Sequence, residues 1–454
     1  MIASTRLPHT TDTLVGREVE LAQLDVAWAG DRTHVFVVRG IGGEGKTSLV
    51  AAWANRLAAR NYDGAAYFDW SFYSQGTRDQ AGASADPFIA AALSFLGGEE
   101  GAAVANSPAS AHEKVARLLG YLRARQTLLI LDGLEPLQYP PGPLGGRLRE
   151  DAMAALLKGL AQNNPGLCVV TTREPLTDLD RFKDTTAQEW ELDRLSDDAG
   201  AALLGRLLEP TSPKGIHKVK STRAERVEIV QAVRGHALTL RLLGGYIHRA
   251  LRDVRRWREV DYAKADAQYV TNTKDPNARY GHAFKTIEAY EKWLAGGGPQ
   301  GERQLAVLRL MGLFDRAASG GCIAALRTKP AITGLTGPLV DLTEEEWNAT
   351  QTELEECGLV SAVNSGSAVS SLDAHPLLRE YFARRLRKAR PKAWEAAHRR
   401  LYEHLCATTK EGDQPKLEEL QPLYQAVAHG CHAGLQQEAC DNVFFDRIRR
   451  KGES

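Results

Sequence analysis

The chain has 454 residues, 57 Lys plus Arg against 57 Asp plus Glu, and 43% hydrophobic residues. A formal net charge of zero gives no global argument for nucleic acid or an anionic membrane as partner, and the apolar content is ample for packed cores. Six cysteines in a chain this size do not read as a disulfide framework, no apolar run approaches the ~18 residues of a membrane span, and the N-terminus has no signal-peptide core, so a cytoplasmic protein of roughly three domains is expected.

Residues 1–12 read as a polar tail. From 13 to 183, apolar runs alternate with helical stretches, the pattern of an α/β parallel sheet. The predicted strands are Val35–Val38, Ala65–Trp70, Thr127–Leu131, Leu167–Thr171 and Trp190–Leu192. The first run opens into Gly40-Ile-Gly-Gly-Glu-Gly-Lys-Thr47, the G-x-x-x-x-G-K-[ST] phosphate-binding pattern in its strand–loop–helix context.

The chemistry needs these residue types. A triphosphate concentrates negative charge that side chains alone cannot surround at short range. Gly40, Gly42, Gly43 and Gly45 allow a turn whose backbone N–H groups point inward. The helix starting near Lys46 aims its positive end at the same anion. Lys46 is expected at the β/γ-phosphates and Thr47 on Mg²⁺, with Glu44 and Ser48 counted among the nucleotide contacts. Leu49, Val50, Trp53 and Leu57 form the stripe that would pack this helix on the sheet.

The run Leu128-Leu-Ile-Leu-Asp132 ends a buried strand in an acid. A carboxylate there can hold Mg²⁺, directly or through water, and Glu135 stands where a base or water-positioning group could act. Thr171-Thr172-Arg173 ends the next strand at the sheet edge where ligands of α/β folds bind, and Arg173 could read the γ-phosphate.

From Ser196, a plausible N-cap followed by Asp197 and Asp198, the pattern turns helical. A polar, basic loop follows at 211–222, then a helical pattern from Arg223 to Ala250. The region from Asn277 to Arg390 is mixed. It holds an apolar helix at 303–314 and a capping box of Thr343 and Glu346. The runs Leu359–Val363 and Ala368–Leu372 flank Asn364-Ser-Gly-Ser367, a hairpin after a helix and the outline of a winged helix. Residues 394–454 are helical, with Gly430 and Gly434 at turns.

Other features carry less. His429, Cys431, His432 and Cys440 fit no common zinc spacing. The basic run Arg384–Arg390 reads as the solvated face of a helix that buries Tyr381, Phe382 and Leu386, so nucleic acid is not expected as a partner. The stretch Trp70–Gly76 suits the nucleotide's surroundings, a subunit interface or plain packing.

These landmarks in this order resemble the STAND class of signalling ATPases, and within it the NB-ARC type. Leu14-Val15-Gly16-Arg17-Glu18-Val19-Glu20 resembles the motif that opens the family's nucleotide domain, which implies contacts from Val15, Gly16 and Arg17 at the adenine end. Gly40–Thr47 resembles Walker A. Leu128–Asp132 with Glu135 resembles Walker B, in wording nearer the NACHT type. Thr171–Arg173 resembles the sensor motif, and Leu192-Asp-Arg-Leu-Ser196 the start of the family's helical domain. Gly235-His-Ala-Leu238 resembles the G-x-P-L motif near the base, implicating Gly235 and Leu238, with Ala237 in the place of proline. Asp373-Ala-His-Pro-Leu377 resembles the motif whose histidine contacts the ADP β-phosphate, which implicates His375.

The resemblance implies an α/β nucleotide-binding domain with a parallel sheet (13–183), a helical domain (184–276), a winged-helix domain (277–392) and the start of a TPR-like array (393–454). It implies an ATP/ADP switch using Mg²⁺, with slow hydrolysis through Lys46, Asp132, Glu135 and Arg173. Such a switch assembles into oligomers when a trigger ligand is sensed and activates an effector, in a setting that includes antiphage immunity. With residues 1–12 alone before the nucleotide module, the effector is expected as a separate protein or as a domain absent from a fragment. A transcription regulator placing the winged helix on DNA and a turnover ATPase are the alternatives. No membrane partner is expected.

Overall fold

The computed structural model describes residues 2–3, 7, 14–72, 84–209, 218–262, 280–363, 371–410, 412, 415 and 417–450. The chain divides into two compact units. The first is Met1–Gly205 with Arg226–Leu240, and the second is Arg206–Glu225 with Arg241–Ser454.

The first unit is built on a sheet of β1 (Val35–Arg39), β2 (Ala66–Ser71), β3 (Thr127–Asp132), β4 (Leu167–Thr172) and β5 (Ala187–Glu191). All pairings are parallel, in the order β2-β3-β4-β1-β5. The central strands are continuously apolar because both faces are covered. Alternate residues serve opposite cores: Val35, Val37, Leu129, Leu131 and Val170 on one side, Phe36, Val38, Leu128, Ile130 and Val169 on the other. Helices α1 (Glu18–Ala29) and α2 (Lys46–Ala58) cover the second side through Leu24, Trp28, Leu49, Val50, Trp53 and Leu57. Helices α3 (Asp86–Asn106), α4 (Ala111–Ala124) and α5 (Asp151–Gln162) cover the first.

Two expectations are adjusted. The last strand runs over Ala187–Glu191 rather than 190–192. Its side chains are mixed in polarity because it lies at the sheet edge, so local pattern located it poorly. Helix α3 is, by length and composition, apolar enough to cross a membrane, whereas the sequence reading found no such run. Its Phe88, Ile89, Ala92 and Leu93 are buried in the core, and Gly98 at φ 58° breaks its helical geometry. Phe68 and Trp70 on β2, and Phe72 just after it, form aromatic contacts with Phe88. Residues 73–76 of the predicted aromatic stretch lie outside the described residues.

Three helices follow the sheet: α6 (Asp197–Leu208), α7 (Arg223–Ala232) and α8 (Ala237–Tyr246). Ser196 Oγ accepts the Ala199 N–H at 3.2 Å, the expected cap. The second unit continues with α9 (Gly281–Ala295), α10 (Gly298–Met311), α11 (Gly320–Arg327) and α12 (Glu344–Glu356). Helix α10 starts before the predicted 303–314 helix, with Pro299 in its first turn. Thr343 and Glu346 form the predicted capping box of α12. Strands β6 (Ser361–Val363) and β7 (Ser371–Asp373) then pair antiparallel, while the turn Asn364–Ser367 lies outside the described residues.

Helix α13 (Pro376–Ala389) buries Leu377, Phe382 and Leu386. On its basic face, Arg384 pairs with Glu380 at 3.8 Å and Arg385 with Glu291 at 3.0 Å. Helices α14 (Pro391–Thr408) and α15 (Leu417–His432) come next, and the chain turns at Gly434 with φ 77°. Gly430, expected at a turn, instead lies within α15, where the lack of a side chain lets Tyr402 and Ala439 pack close. His398 Nδ1 and His429 Nδ1 approach to 2.8 Å, yet no group of three or more His, Cys, Asp or Glu among the described residues could hold a metal ion.

Candidate functional site

The site forms at the carboxyl ends of β1, β3 and β4. The sheet order reverses at β1, which has β4 on one side and β5 on the other, and such a point opens a crevice for ligands. The chain leaves β1 through residues 40–45 and re-forms as α2 with Gly45 as its N-cap residue, at φ 93° and ψ 23°. Gly43 also has positive φ, 87°. Both lie in a region that costs an L-residue about 1–3 kcal/mol, so the glycines of the motif answer a backbone requirement.

Lys46 Nζ donates to the carbonyls of Gly40 at 2.7 Å and Ile41 at 3.1 Å. The ammonium is buried, and burial lowers its pKa to about 8, against the opposing attraction of Glu135. A poorly solvated cation on weak neutral acceptors is suited to an anion. Thr47 Oγ1 donates to Asp132 Oδ1 at 2.8 Å. Asp132 also accepts from Thr171 Oγ1 at 2.7 Å and Ser71 Oγ at 3.3 Å. Burial raises its pKa, and the hydrogen bonds from Thr171 and Thr47 oppose that rise. The motif hydroxyl and the strand acid therefore share one position, and these two oxygen ligands fit Mg²⁺.

Glu135 stands just beyond Asp132 on a turn of 3₁₀ helix, Glu135–Leu137. Its carboxylate is buried, and neither oxygen accepts a hydrogen bond among the described residues. Arg173 Nε lies 3.4 Å from Glu135 Oε1. Buried acceptors without donors are costly, and water protons would relieve them. Thr171 also accepts the Gly133 N–H at 2.8 Å, which ties the ends of β3 and β4 together.

Arg17 is buried. It donates to the Glu44 carbonyl at 3.1 Å and to the Glu20 carboxylate at 2.8 Å, so its guanidinium braces the glycine loop. Gly16 has φ 64°, and a Cβ there would stand 2.2 Å from Ala199 Cβ, while Val15 beside it is half-buried. Glu44 is 2% exposed, and burial raises its pKa to about 7, opposed chiefly by Arg194 at 3.8 Å. Ser48 follows Thr47 in the first turn of α2.

Leu238 comes to the same loop from far downstream, whereas Gly235 packs on Leu195. The Leu238 N–H donates to the Gly43 carbonyl at 2.9 Å. Gly235 has φ 66°, and its carbonyl accepts the Leu195 N–H at 3.0 Å. His375 belongs to the second unit, where its Nδ1 accepts the Leu377 N–H at 3.2 Å and caps α13. Three contributors were not expected from the sequence: Ser71, Arg194 and His236. His236 Nε2 lies 2.9 Å from the Gly42 carbonyl and its Nδ1 2.7 Å from Thr239 Oγ1. A histidine inside a motif already suspected of packing near a nucleotide was the available signal.

Residues 13–170 match the family described as the AAA ATPase domain. No curated protein matches the chain by sequence. Among solved structures, a Signal Transduction ATPase with Numerous Domains (STAND) protein with a tetratricopeptide repeat sensor, from Pyrococcus horikoshii, matches at TM-score 0.59 and 17% identity. The fold the two share is a P-loop α/β sheet domain followed by a large helical region. The match covers 98% of this chain and 51% of the other, so the chain spans about half the length of that STAND protein. Two Aeropyrum pernix proteins also match. One is ORC1 in complex with DNA, at TM-score 0.32 and 18% identity, covering 84% of this chain and 95% of that one. The other is ORC2 in ADPNP-ADP complexes, at 0.30 and 12%, covering 84% and 97%. Likenesses this distant carry no argument about ligands.

Proposed function

We propose that this chain is an ATP/ADP-dependent signalling switch. The observation that carries the reading is the hydrogen bond from Thr47 to Asp132 at 2.8 Å, beside the buried ammonium of Lys46. A loop for phosphates, a two-oxygen seat for Mg²⁺ and a cation–carboxylate pair at Arg173 and Glu135 meet at one end of the sheet. The STAND-like fold along the whole chain supports regulation over bulk turnover.

In this reading Lys46 and the loop N–H groups bind the phosphates, and Thr47 and Asp132 hold Mg²⁺, which neutralises phosphate charge when bound. Glu135 orients a water, and Arg173 distinguishes triphosphate from diphosphate. Val15, Gly16, Arg17, Gly235 and Leu238 shape the nucleotide's surroundings, and His375 is the contact of the winged-helix segment with the diphosphate state. A sharp switch needs a difference in affinity between the two states on the order of 5 kcal/mol. The NB-ARC-like division into nucleotide-binding, helical, winged-helix and TPR-like parts, activation by oligomerisation, a separate effector, a cytoplasmic setting and a role against phage belong to the same proposal. The ion pairs made by Arg384 and Arg385 weigh against a DNA-facing use of α13.

Purification followed by release and chromatography of bound nucleotide tests the reading. ADP is expected with the wild type and is expected to be lost in Lys46→Ala. A protein that binds neither ATP nor ADP at micromolar concentration refutes it, and rapid steady-state hydrolysis by the isolated chain favours the turnover alternative.

A further inference from the structure

We propose that His236 is a positioning residue for phosphate binding, acting through the Gly42–Gly43 peptide of the glycine loop. The inference rests on the nucleotide reading above and adds to it the residue that sets the loop's geometry.

Three observations carry it. First, the tautomer is determined by neighbours. The Thr239 N–H lies 3.4 Å from His236 Nδ1, and Thr239 Oγ1 lies 2.7 Å from the same atom. A backbone N–H can only donate, so Nδ1 is the acceptor and the proton sits on Nε2. Nε2–H therefore donates to the Gly42 carbonyl at 2.9 Å. Second, a trans peptide is planar, with its C=O and N–H on opposite sides. Holding the Gly42 oxygen toward His236 turns the Gly43 N–H away from the histidine. The Leu238 N–H holds the next carbonyl, that of Gly43, at 2.9 Å. Two consecutive loop peptides are thus clamped by one short segment. Third, the fit leaves no slack. A Cβ on Gly43 would stand 2.9 Å from the His236 ring and from Leu238 Cβ, and one on Gly235 would stand 2.2 Å from the Leu195 carbonyl oxygen.

His236 is buried, and 194 residues separate it from Gly42 in sequence. Residues 226–240 belong to the first unit although 206–225 belong to the second. The histidine is therefore the point at which a returning segment grips the phosphate loop. Linkage makes this grip reciprocal: phosphate binding that needs the clamped loop also favours the seated segment.

The test compares wild type, His236→Ala, His236→Gln and Thr239→Val by titration with fluorescent ADP and ATP, with folding checked by circular dichroism. His236→Ala is expected to raise the Kd of both nucleotides about tenfold, the loss of one buried hydrogen bond, while kcat at saturating ATP stays within about twofold. His236→Gln, whose amide can donate to the same carbonyl, is expected to recover most of the affinity. Thr239→Val, which keeps shape and removes the hydroxyl partner, is expected to weaken binding severalfold and serves where His236→Ala does not fold. Wild-type Kd values in a folded His236→Ala or in Thr239→Val overturn the inference, as does a His236→Gln as weak as the alanine variant. A wild type that binds no nucleotide instead removes the reading beneath it.

Discussion

Glu44 is the side chain of the glycine loop whose environment runs most against its charge. It is 2% exposed, its Oε2 accepts no hydrogen bond among the described residues, and its ion-pair partner Arg194 stands 3.8 Å away and about half in solvent. Burial lifts its pKa from 4.5 to about 7. The folded state therefore binds this proton more tightly than the unfolded chain. Below pH 4.5 both states are protonated and the full contribution to stability is present. Between 4.5 and 7 the unfolded state releases the proton first, and stability falls as pH rises through the folded value. A rise from 4.5 to about 7 corresponds to about 3 kcal/mol. Glu44→Gln cannot ionise and should lack this slope. Urea unfolding at steps between pH 4 and 8.5 measures it. With a slope of roughly 1–3 kcal/mol per molar urea, the wild-type midpoint should fall relative to the variant by about 1 M or more. Parallel midpoints across that range would show that the carboxylate is solvated or better paired in solution, and the account of its burial would be wrong.

Two further outcomes follow from the same geometry. Asp132→Asn keeps the shape and can still accept from Thr47 and Thr171, so its thermal stability at neutral pH should equal or exceed wild type while Mg²⁺-dependent nucleotide hydrolysis falls at least about 100-fold; a matching loss of stability would assign Asp132 a structural role instead. Gly235→Ala combines a positive φ with a Cβ 2.2 Å from a backbone oxygen, so denaturant unfolding should show a loss of about 3 kcal/mol, and a loss below about 1 kcal/mol would mean the turn can rearrange.

The sheet was legible because each of its central strands is buried on both faces, which leaves a continuous apolar run between turn residues. Strand order was not, since placing β4 between β1 and β3 depends on how α2 through α5 divide between the two faces, and no local pattern encodes that. Helix α3 was obscured by Gly97, Gly98 and Gly101 near its middle, residues that read as breakers, although Leu93 and Leu96 continue its buried face.

The site divides along the same line. Phosphate binding needs backbone N–H groups from consecutive residues, so the whole demand is written in eight positions and can be read locally. The hydroxyls on Asp132 come from the start of α2, the end of β2 and the end of β4, three segments brought together only by the sheet. The braces on the loop come from Arg17, before β1, and His236, far beyond β5, the last strand of the parallel sheet. A Gly-rich turn without them would have the right glycines and no fixed direction for its N–H groups. Affinity for phosphate can therefore be inferred from the motif alone, whereas the geometry that could make affinity depend on conformation lies in residues that meet the loop only after folding.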